Sequence, residues 1–157
     1  MRGKPYIKKR NLPNDEKYQS PLIAKFINKI LLDGKKQTAK SIVYKMMAII
    51  EEKTKKPALE VFTIAISNVS PLLEVKPKRI GGATYQVPME VSSDRKEALS
   101  TRWIIQIARA KQGKNMEDRL AEEILNAYNK TGSAMQKREN MHKMAEANKA
   151  FAHFARF

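Results

Sequence analysis

His142 and His153 are the only imidazoles in the chain, and there is no cysteine. On one continuous helix the two rings would stand about 16 Å apart at ~1.5 Å of rise per residue, too far to share a metal ion. Glu51-Glu52 and Glu122-Glu123 are adjacent carboxylates, which a helix points in different directions, so neither pair reads as an acid/base couple. The serines fall in no nucleophile-elbow pattern. Gly81-Gly82 does not lie between a strand and a helix, as a phosphate loop would. These residues argue against an enzyme and against a cofactor or metal. What remains is cation chemistry. Lys and Arg number 31 against 16 Asp and Glu, a net charge of +15. An excess that large points to a polyanion, nucleic acid first and an anionic membrane surface second.

The cations fall in separate stretches. Arg2, Lys4, Lys8, Lys9 and Arg10 precede the first acid, Asp15. Pro5 and Pro13 discourage helix there, so residues 1–19 read as a basic arm that orders on a phosphate surface. Lys35 and Lys36 lie in a short connection. Lys76, Lys78 and Arg79 crowd one strand of a hairpin. Lys137, Arg138, His142, Lys143 and Lys149 enrich the last segment.

Those stretches need a scaffold, and the rest of the chain supplies one. The hairpin, over 73–91, is the one convincing β signal. Gly81 and Gly82 suit a tight reversal, and Thr84, Tyr85, Val87 and Val91 are β-formers at strand spacing. Pro77 and Pro88 cannot donate to a ladder, so the ribbon should have two open edges and join no larger sheet. A lone hairpin is marginal in water, and its charge implies a negative partner to hold it. Everything else reads as helix. Ser20-Pro21 opens the first, with Leu22, Ile23, Phe26, Ile27, Ile30 and Leu31 on one face and Gly34 as its stop. The second runs from Lys36 to about Lys53, with Ala39, Ile42, Val43, Met46, Met47 and Ile50 inward. Pro57 and Pro71 bracket the third, striped by Leu59, Phe62, Ile66 and Val69. Ser92 or Ser93 caps the fourth, which carries Leu99, Trp103, Ile104, Ile107 and Ala108, with Trp103 as a core anchor. The fifth runs from Met116 to about Lys130 on Leu120, Ala121, Ile124, Leu125 and Tyr128, and Gly132 stops it. Ser133–Phe157 has a thin apolar face of Met135, Met141, Met144 and Ala145, and reads as a surface helix with an aromatic tail at Phe151, Phe154 and Phe157.

The expected fold is therefore mainly α: a single domain of about six helices, residues 20–157, with a projecting two-stranded hairpin between the third and fourth. No apolar run reaches the ~18 residues of a membrane span, and the start of the chain lacks the apolar core of a signal peptide, so a cytoplasmic protein without membrane contact is expected. A helix-turn-helix reading of DNA is poorly served by the second helix, whose exposed side is mainly lysine. Several basic pieces at different places suit a folded RNA better.

Three motifs carry a family resemblance. Lys78-Arg-Ile-Gly-Gly-Ala-Thr-Tyr-Gln-Val-Pro-Met-Glu-Val91 resembles the hairpin of the bacterial small-subunit ribosomal protein S-seven family. Leu32-Asp-Gly-Lys-Lys36, followed by Ala39, Ile42 and Tyr44, is similar too. So is Lys137-Arg-Glu-Asn-Met-His-Lys-Met-Ala-Glu-Ala-Asn-Lys-Ala-Phe-Ala-His-Phe154. The resemblance implies six helices with a ribbon between the third and fourth, and a non-catalytic role. It implies direct, early binding to the 3′ major domain of 16S-type ribosomal RNA and nucleation of the subunit head. It also implies a place near exit-site tRNA and mRNA, with protein neighbours in the head and on the platform. Carried onto this chain, Arg2, Lys4, Lys8, Lys9, Arg10, Lys35, Lys36, Lys76, Lys78, Arg79, Lys137, Arg138, His142, Lys143 and Lys149 would contact RNA. Arg95 and Lys96, opening the fourth helix, match a basic cluster of the family. Asp94 and Glu97 depart from it and weaken that patch, and Lys4-Pro5-Tyr6-Ile7 replaces a denser arginine run. The runner-up role is a DNA-binding or mRNA-binding translational repressor.

Overall fold

Prolines and glycines set most of the boundaries. In the computed structural model, which describes residues 12–156, Pro21 provides the first turn of α1 (Pro21–Ile30) and Pro57 precedes α3 (Ala58–Val69). Between them runs α2 (Lys36–Thr54). The ribbon, β1 (Leu73–Ile80) and β2 (Ala83–Glu90), separates α3 from α4 (Ser93–Ala110). Then come α5 (Met116–Tyr128), α6 (Gly132–Ala147) and a 3₁₀ segment, Lys149–Arg156. The expected mainly helical fold with a hairpin between the third and fourth helices is the one observed.

The core is shared by all six α-helices. Phe26 of α1 meets Phe62 of α3 edge-on, with ring centroids 5.0 Å apart, the geometry aromatic quadrupoles favour. Met46, Met47 and Ile50 of α2, Ile104 of α4 and Leu120 and Ile124 of α5 are fully buried. Trp103 is buried as expected of an anchor. Helix α5 packs against α2, α3, α4 and α6, which makes it the central strut.

Some local expectations differ. Neither Ser20 nor Ser92 caps with its hydroxyl. Pro21 removes one of the four unpaired N–H groups at the start of α1. Gly132 does not stop α5. That helix ends at Tyr128, Lys130 turns into the left-handed region at φ 59°, and Gly132 opens α6 at φ 88°. The α6 N-terminus is capped from a distance, because Oε1 of the buried Glu123 accepts the Ala134 N–H at 3.0 Å. Met144 is 49% exposed and leaves the expected apolar face. It follows Met135 by nine residues, half a turn out of phase at ~100° per residue. The inward face runs through Met135, Arg138, His142 and Ala145 instead. The last helix also ends early, and the chain beyond Asn148 tightens into 3₁₀ turns.

Of the expected arm, Asp15 is buried and Tyr18 half-buried, while Leu12, Pro13, Asn14, Glu16, Lys17 and Gln19 are exposed. The Asp15 carboxylate, buried, accepts the N–H groups of Lys17 and Tyr18 at 3.1 Å each and the Tyr44 hydroxyl at 2.8 Å. Burial, then that bond to Asp15, pushes the Tyr44 hydroxyl up to about 12. Residues 1–11 lie outside the described residues.

Among the described residues the ribbon joins no larger sheet. Gly81 and Gly82 take φ of 57° and 90°, the two positive values a type I′ reversal requires. Ile80 then pairs with Ala83, and the hydrogen-bonded pairs alternate from there through Lys78–Tyr85, Lys76–Val87 and Glu74–Met89. Pro77, opposite Gln86, and Pro88, opposite Val75, both fall at the intervening sites, where an N–H would face away from the ladder.

Candidate nucleic-acid interface

Strand alternation divides the ribbon's cations between two faces. Glu74, Lys76, Lys78 and Ile80 point to one side with Met89, Val87, Tyr85 and Ala83 across from them. Arg79 points to the other side, exposed, beside Pro77 and opposite Thr84. On the first face charge is partly spent. The Glu74 carboxylate is buried, with Lys76 Nζ at 2.9 Å and Arg95 Nε and Nη2 at 3.2 Å. Burial works to raise the Glu74 carboxyl, but the bonds and charges of Lys76 and Arg95 outweigh it and hold the group below its ordinary value. Further out, Lys78 Nζ donates to the Phe154 carbonyl at 2.9 Å. The ribbon is therefore braced from within the chain, by Arg95 and by the 3₁₀ segment. That differs from the expectation that an external anion must hold it. The acid that meets Arg95 is the strand's Glu74, whereas its near neighbour Glu97 pairs with Lys25 of α1 at 3.1 Å.

Helix α6 presents its cations on two sides. Lys137 and Lys143 are exposed. Lys137 Nζ also donates to Gln106 at 3.1 Å and stands 5.9 Å from the Trp103 ring centroid, a cation–π distance. Arg138 and His142 are half-buried on the inward face. The Arg138 guanidinium donates to the Asn68 carbonyl that ends α3. His142 Nε2 accepts the Leu72 N–H at 3.0 Å, which ties α6 to the start of β1. Burial, then the charge of Arg138, pulls the His142 imidazole below its usual 6.5. Lys149 is exposed at the head of the 3₁₀ segment, and Lys96 is half-buried in the first turn of α4.

Lys35 and Lys36 project from the connection between α1 and α2, both exposed. Asp33 and Gly34, at φ 51° and 71°, turn the chain so that Lys35 N–H reaches the Leu32 carbonyl at 3.0 Å and Lys36 N–H the Gly34 carbonyl at 2.8 Å. The structure thus brings Lys76, Lys78, Arg95, Arg138, His142 and Lys149 around the ribbon and its base. It leaves Lys35 and Lys36 on their own connection. Arg2, Lys4, Lys8, Lys9 and Arg10 lie outside the described residues.

One cationic patch was not assigned from sequence. Lys29 of α1 lies within electrostatic reach of Lys25 on its own helix and of the exposed Arg102 of α4. The Lys29 ammonium donates to the Ala98 carbonyl at 3.2 Å and to the Thr101 hydroxyl. Its pKa is lowered, chiefly by burial and further by Arg102 and Lys25, against the pull of Glu97. The i,i+4 spacing of Lys25 and Lys29, clear of the apolar stripe, is the signal that could have found it. By contrast the cations beside α5 are neutralised internally. Lys111 lies 3.1 Å from Glu123 and 3.2 Å from Glu122, Lys114 lies 3.2 Å from Glu122, and Lys45 lies 3.6 Å from Glu117.

Such a surface can neutralise phosphates at several directions while a rigid helical block fixes the angles between them. Among the described residues no group of His, Cys, Asp and Glu could hold a metal ion, and no helix is long and apolar enough to cross a membrane.

Comparison with known proteins gives a consistent answer. The sequence profile described as ribosomal protein S7p/S5e matches residues 2–149. The small ribosomal subunit protein uS7 of Thermotoga petrophila is 57% identical over 145 residues, covering 92% of this chain and 94% of that protein. The uS7 protein of Chloroflexus aggregans is 53% identical over 150 residues, covering 96% of each. That of Thermotoga maritima is 56% identical over 146 residues, covering 93% of this chain and 94% of its own.

Proposed function

The chain belongs to the ribosomal protein S7p/S5e family, and from that premise we propose that it organises the RNA of the small-subunit head by holding several RNA helices at fixed angles. It is a structural, non-enzymatic protein of the small ribosomal subunit that binds ribosomal RNA alongside other ribosomal proteins. Within that role, the 3′ major domain of the small-subunit RNA is its primary site. Binding there early lowers the entropy of folding the RNA junction and nucleates head assembly. The ribbon approaches the path of mRNA and exit-site tRNA, and neighbouring proteins of head and platform complete its surroundings in the cytoplasm.

The observation that supports this reading is the distribution of exposed cations. Lys35 and Lys36 on the α1–α2 connection, Arg79 on the ribbon and Lys137, Lys143 and Lys149 toward the C-terminus face outward from separate elements of one block. The basic arm, residues 1–11 of which lie outside the described residues, adds Arg2, Lys4, Lys8, Lys9 and Arg10. Exposed Arg102 of α4 adds a further outward cation, whereas Lys25 is paired with Glu97.

Chemical footprinting on protein-free small-subunit ribosomal RNA tests the proposal. Protection should concentrate in the 3′ major domain, survive an excess of duplex DNA and weaken steeply with salt. Protection scattered over the whole RNA, or abolished by duplex DNA, would replace this role with a general nucleic-acid binder.

A further inference from the structure

Lys-Ala-Phe-Ala-His-Phe-Ala-Arg, residues 149–156, places Phe151 and Phe154 three apart, one turn of a 3₁₀ helix, so both rings emerge on one side. They lie nearly parallel, at 10° with centroids 6.4 Å apart. Tyr85 of β2 packs against both, at 5.2 Å from Phe151 and 5.3 Å from Phe154. Directly across the ribbon from Tyr85 stands Lys78, on the same face, and its ammonium donates to the Phe154 carbonyl. The 3₁₀ segment therefore covers one aromatic and one cation that the hairpin holds side by side.

Those two groups are the minimal equipment for a single-stranded nucleic acid: a ring for an unstacked base and an ammonium for its phosphate. The cover is made of exchangeable parts. A carbonyl is a neutral acceptor, and a phosphate oxygen is the stronger partner for an ammonium. A base can take the place of a phenyl ring against Tyr85. The segment is eight residues of 3₁₀ helix, longer than such runs usually persist, and none of its residues belongs to the buried core.

We propose that Lys149–Arg156 is a strap that lies over the Lys78–Tyr85 pair in the free protein, and that single-stranded RNA binds the ribbon by lifting it. This rests on the RNA-binding role above and adds the ligand class and the gating contact. Phosphate replaces the Phe154 carbonyl at Lys78, and a base replaces the Phe151 and Phe154 rings at Tyr85. The ribbon keeps its register through Gly81, Gly82 and the Glu74–Arg95 anchor.

Amide hydrogen exchange on the full chain, with and without saturating decauridylate, is the test. The strap amides at 150–156 should exchange about tenfold faster with RNA, while the ribbon amides stay as protected or become more so. Saturation that leaves the strap amides as slow as before overturns the proposal. The double variant Phe151→Ala/Phe154→Ala, which keeps every charge, should bind decauridylate about tenfold tighter, from the loss of two ring contacts that compete with the base. Adding Tyr85→Ala should erase that gain. Unchanged or weaker binding by the double variant also overturns the strap. A chain that binds small-subunit ribosomal RNA but not decauridylate loses the strap alone, and one that binds neither loses the RNA-binding role as well.

Discussion

Replacing Glu74 by glutamine should strengthen RNA binding while weakening the fold. Glu74 is 5% exposed and its carboxylate holds both Lys76 and Arg95 at hydrogen-bond distance, so one of their two positive charges is cancelled before RNA arrives. Glutamine keeps the size and one acceptor but removes one negative charge, so the cluster gains one net positive charge. Each cation freed to meet a phosphate adds about 0.7–0.9 to the slope of log affinity against log salt. Over a fourfold rise in salt, from about 50 to 200 mM, the variant should lose about 2.6- to 3.5-fold more affinity than the wild type. The cost to the fold is modest, because Lys76 and Arg95 have side chains 52% and 41% exposed and regain water. About 1–2 kcal/mol is expected, mostly from the lost bonds at a buried acceptor. Filter binding or fluorescence anisotropy with a small-subunit ribosomal RNA fragment, titrated across salt, gives the slope, and thermal melting gives the stability. Arg95→Gln should instead flatten the slope by about 0.7–0.9, since the remaining Glu74 and Lys76 carry no net charge. A Glu74→Gln slope equal to or shallower than wild type would show that the carboxylate does not hold those cations back.

Deleting residues 1–10 should weaken binding to ribosomal RNA and flatten its salt dependence, with helical content and melting nearly unchanged; a large loss of helix by circular dichroism would make the arm structural. His142 has its pKa depressed below 6.5, so the unfolded chain takes up a proton that the folded chain resists. Its contribution is complete above 6.5 and is lost as pH falls from there toward the lower folded value. The protection factor of the Leu72 amide should therefore fall over that window, and His142→Gln should abolish that change. Gly132→Ala forces a side chain onto φ 88° and brings its Cβ to 2.8 Å from Asn126 Cβ, so a loss of about 2 kcal/mol or more is expected. The melting point should drop by ~4 °C or more, and an unchanged melt would mean that the α5–α6 corner relaxes freely. Glu123→Ala removes both the α6 cap and a partner of Lys111. About 2–4 kcal/mol is expected, and Glu123→Gln should recover the part due to the cap.

Much of the fold was legible because it is written locally. Pro21, Pro57 and the periodicity of Ile23, Phe26, Ile27 and Ile30 place helices without knowledge of their neighbours. Gly81-Gly82 between β-formers places the reversal in the same way. What escaped depends on partners distant in sequence. Nothing local says that the cap of α6 comes from Glu123, or that Arg95 turns to Glu74 and not to the adjacent Glu97. The candidate interface was legible as charge and less so as geometry. Lys35, Lys36, Arg79 and Lys143 are exposed, as a count of cations implies. Arg138 and His142 share the phase of Met135 and Ala145, so helical spacing turns them inward although their polarity suggested otherwise. Spacing alone shows Phe151, Phe154 and Phe157 as a tail; the seat of Phe151 and Phe154 against Tyr85 follows only once α6 ends at Ala147 and the backbone tightens, and Phe157 lies outside the described residues.

The two prolines of the ribbon have a consequence beyond this chain's own fold. A bare pair of strands invites a second copy to add on edge to edge, the first step toward a fibril. Pro77 deletes a donor from one rim and Pro88 from the other, each near mid-strand. A newly made copy, still waiting for its RNA, thus carries a hairpin that neighbouring copies find hard to extend. Restoring both donors with Pro77→Thr/Pro88→Thr should reveal that guarded tendency as concentration-dependent clumping.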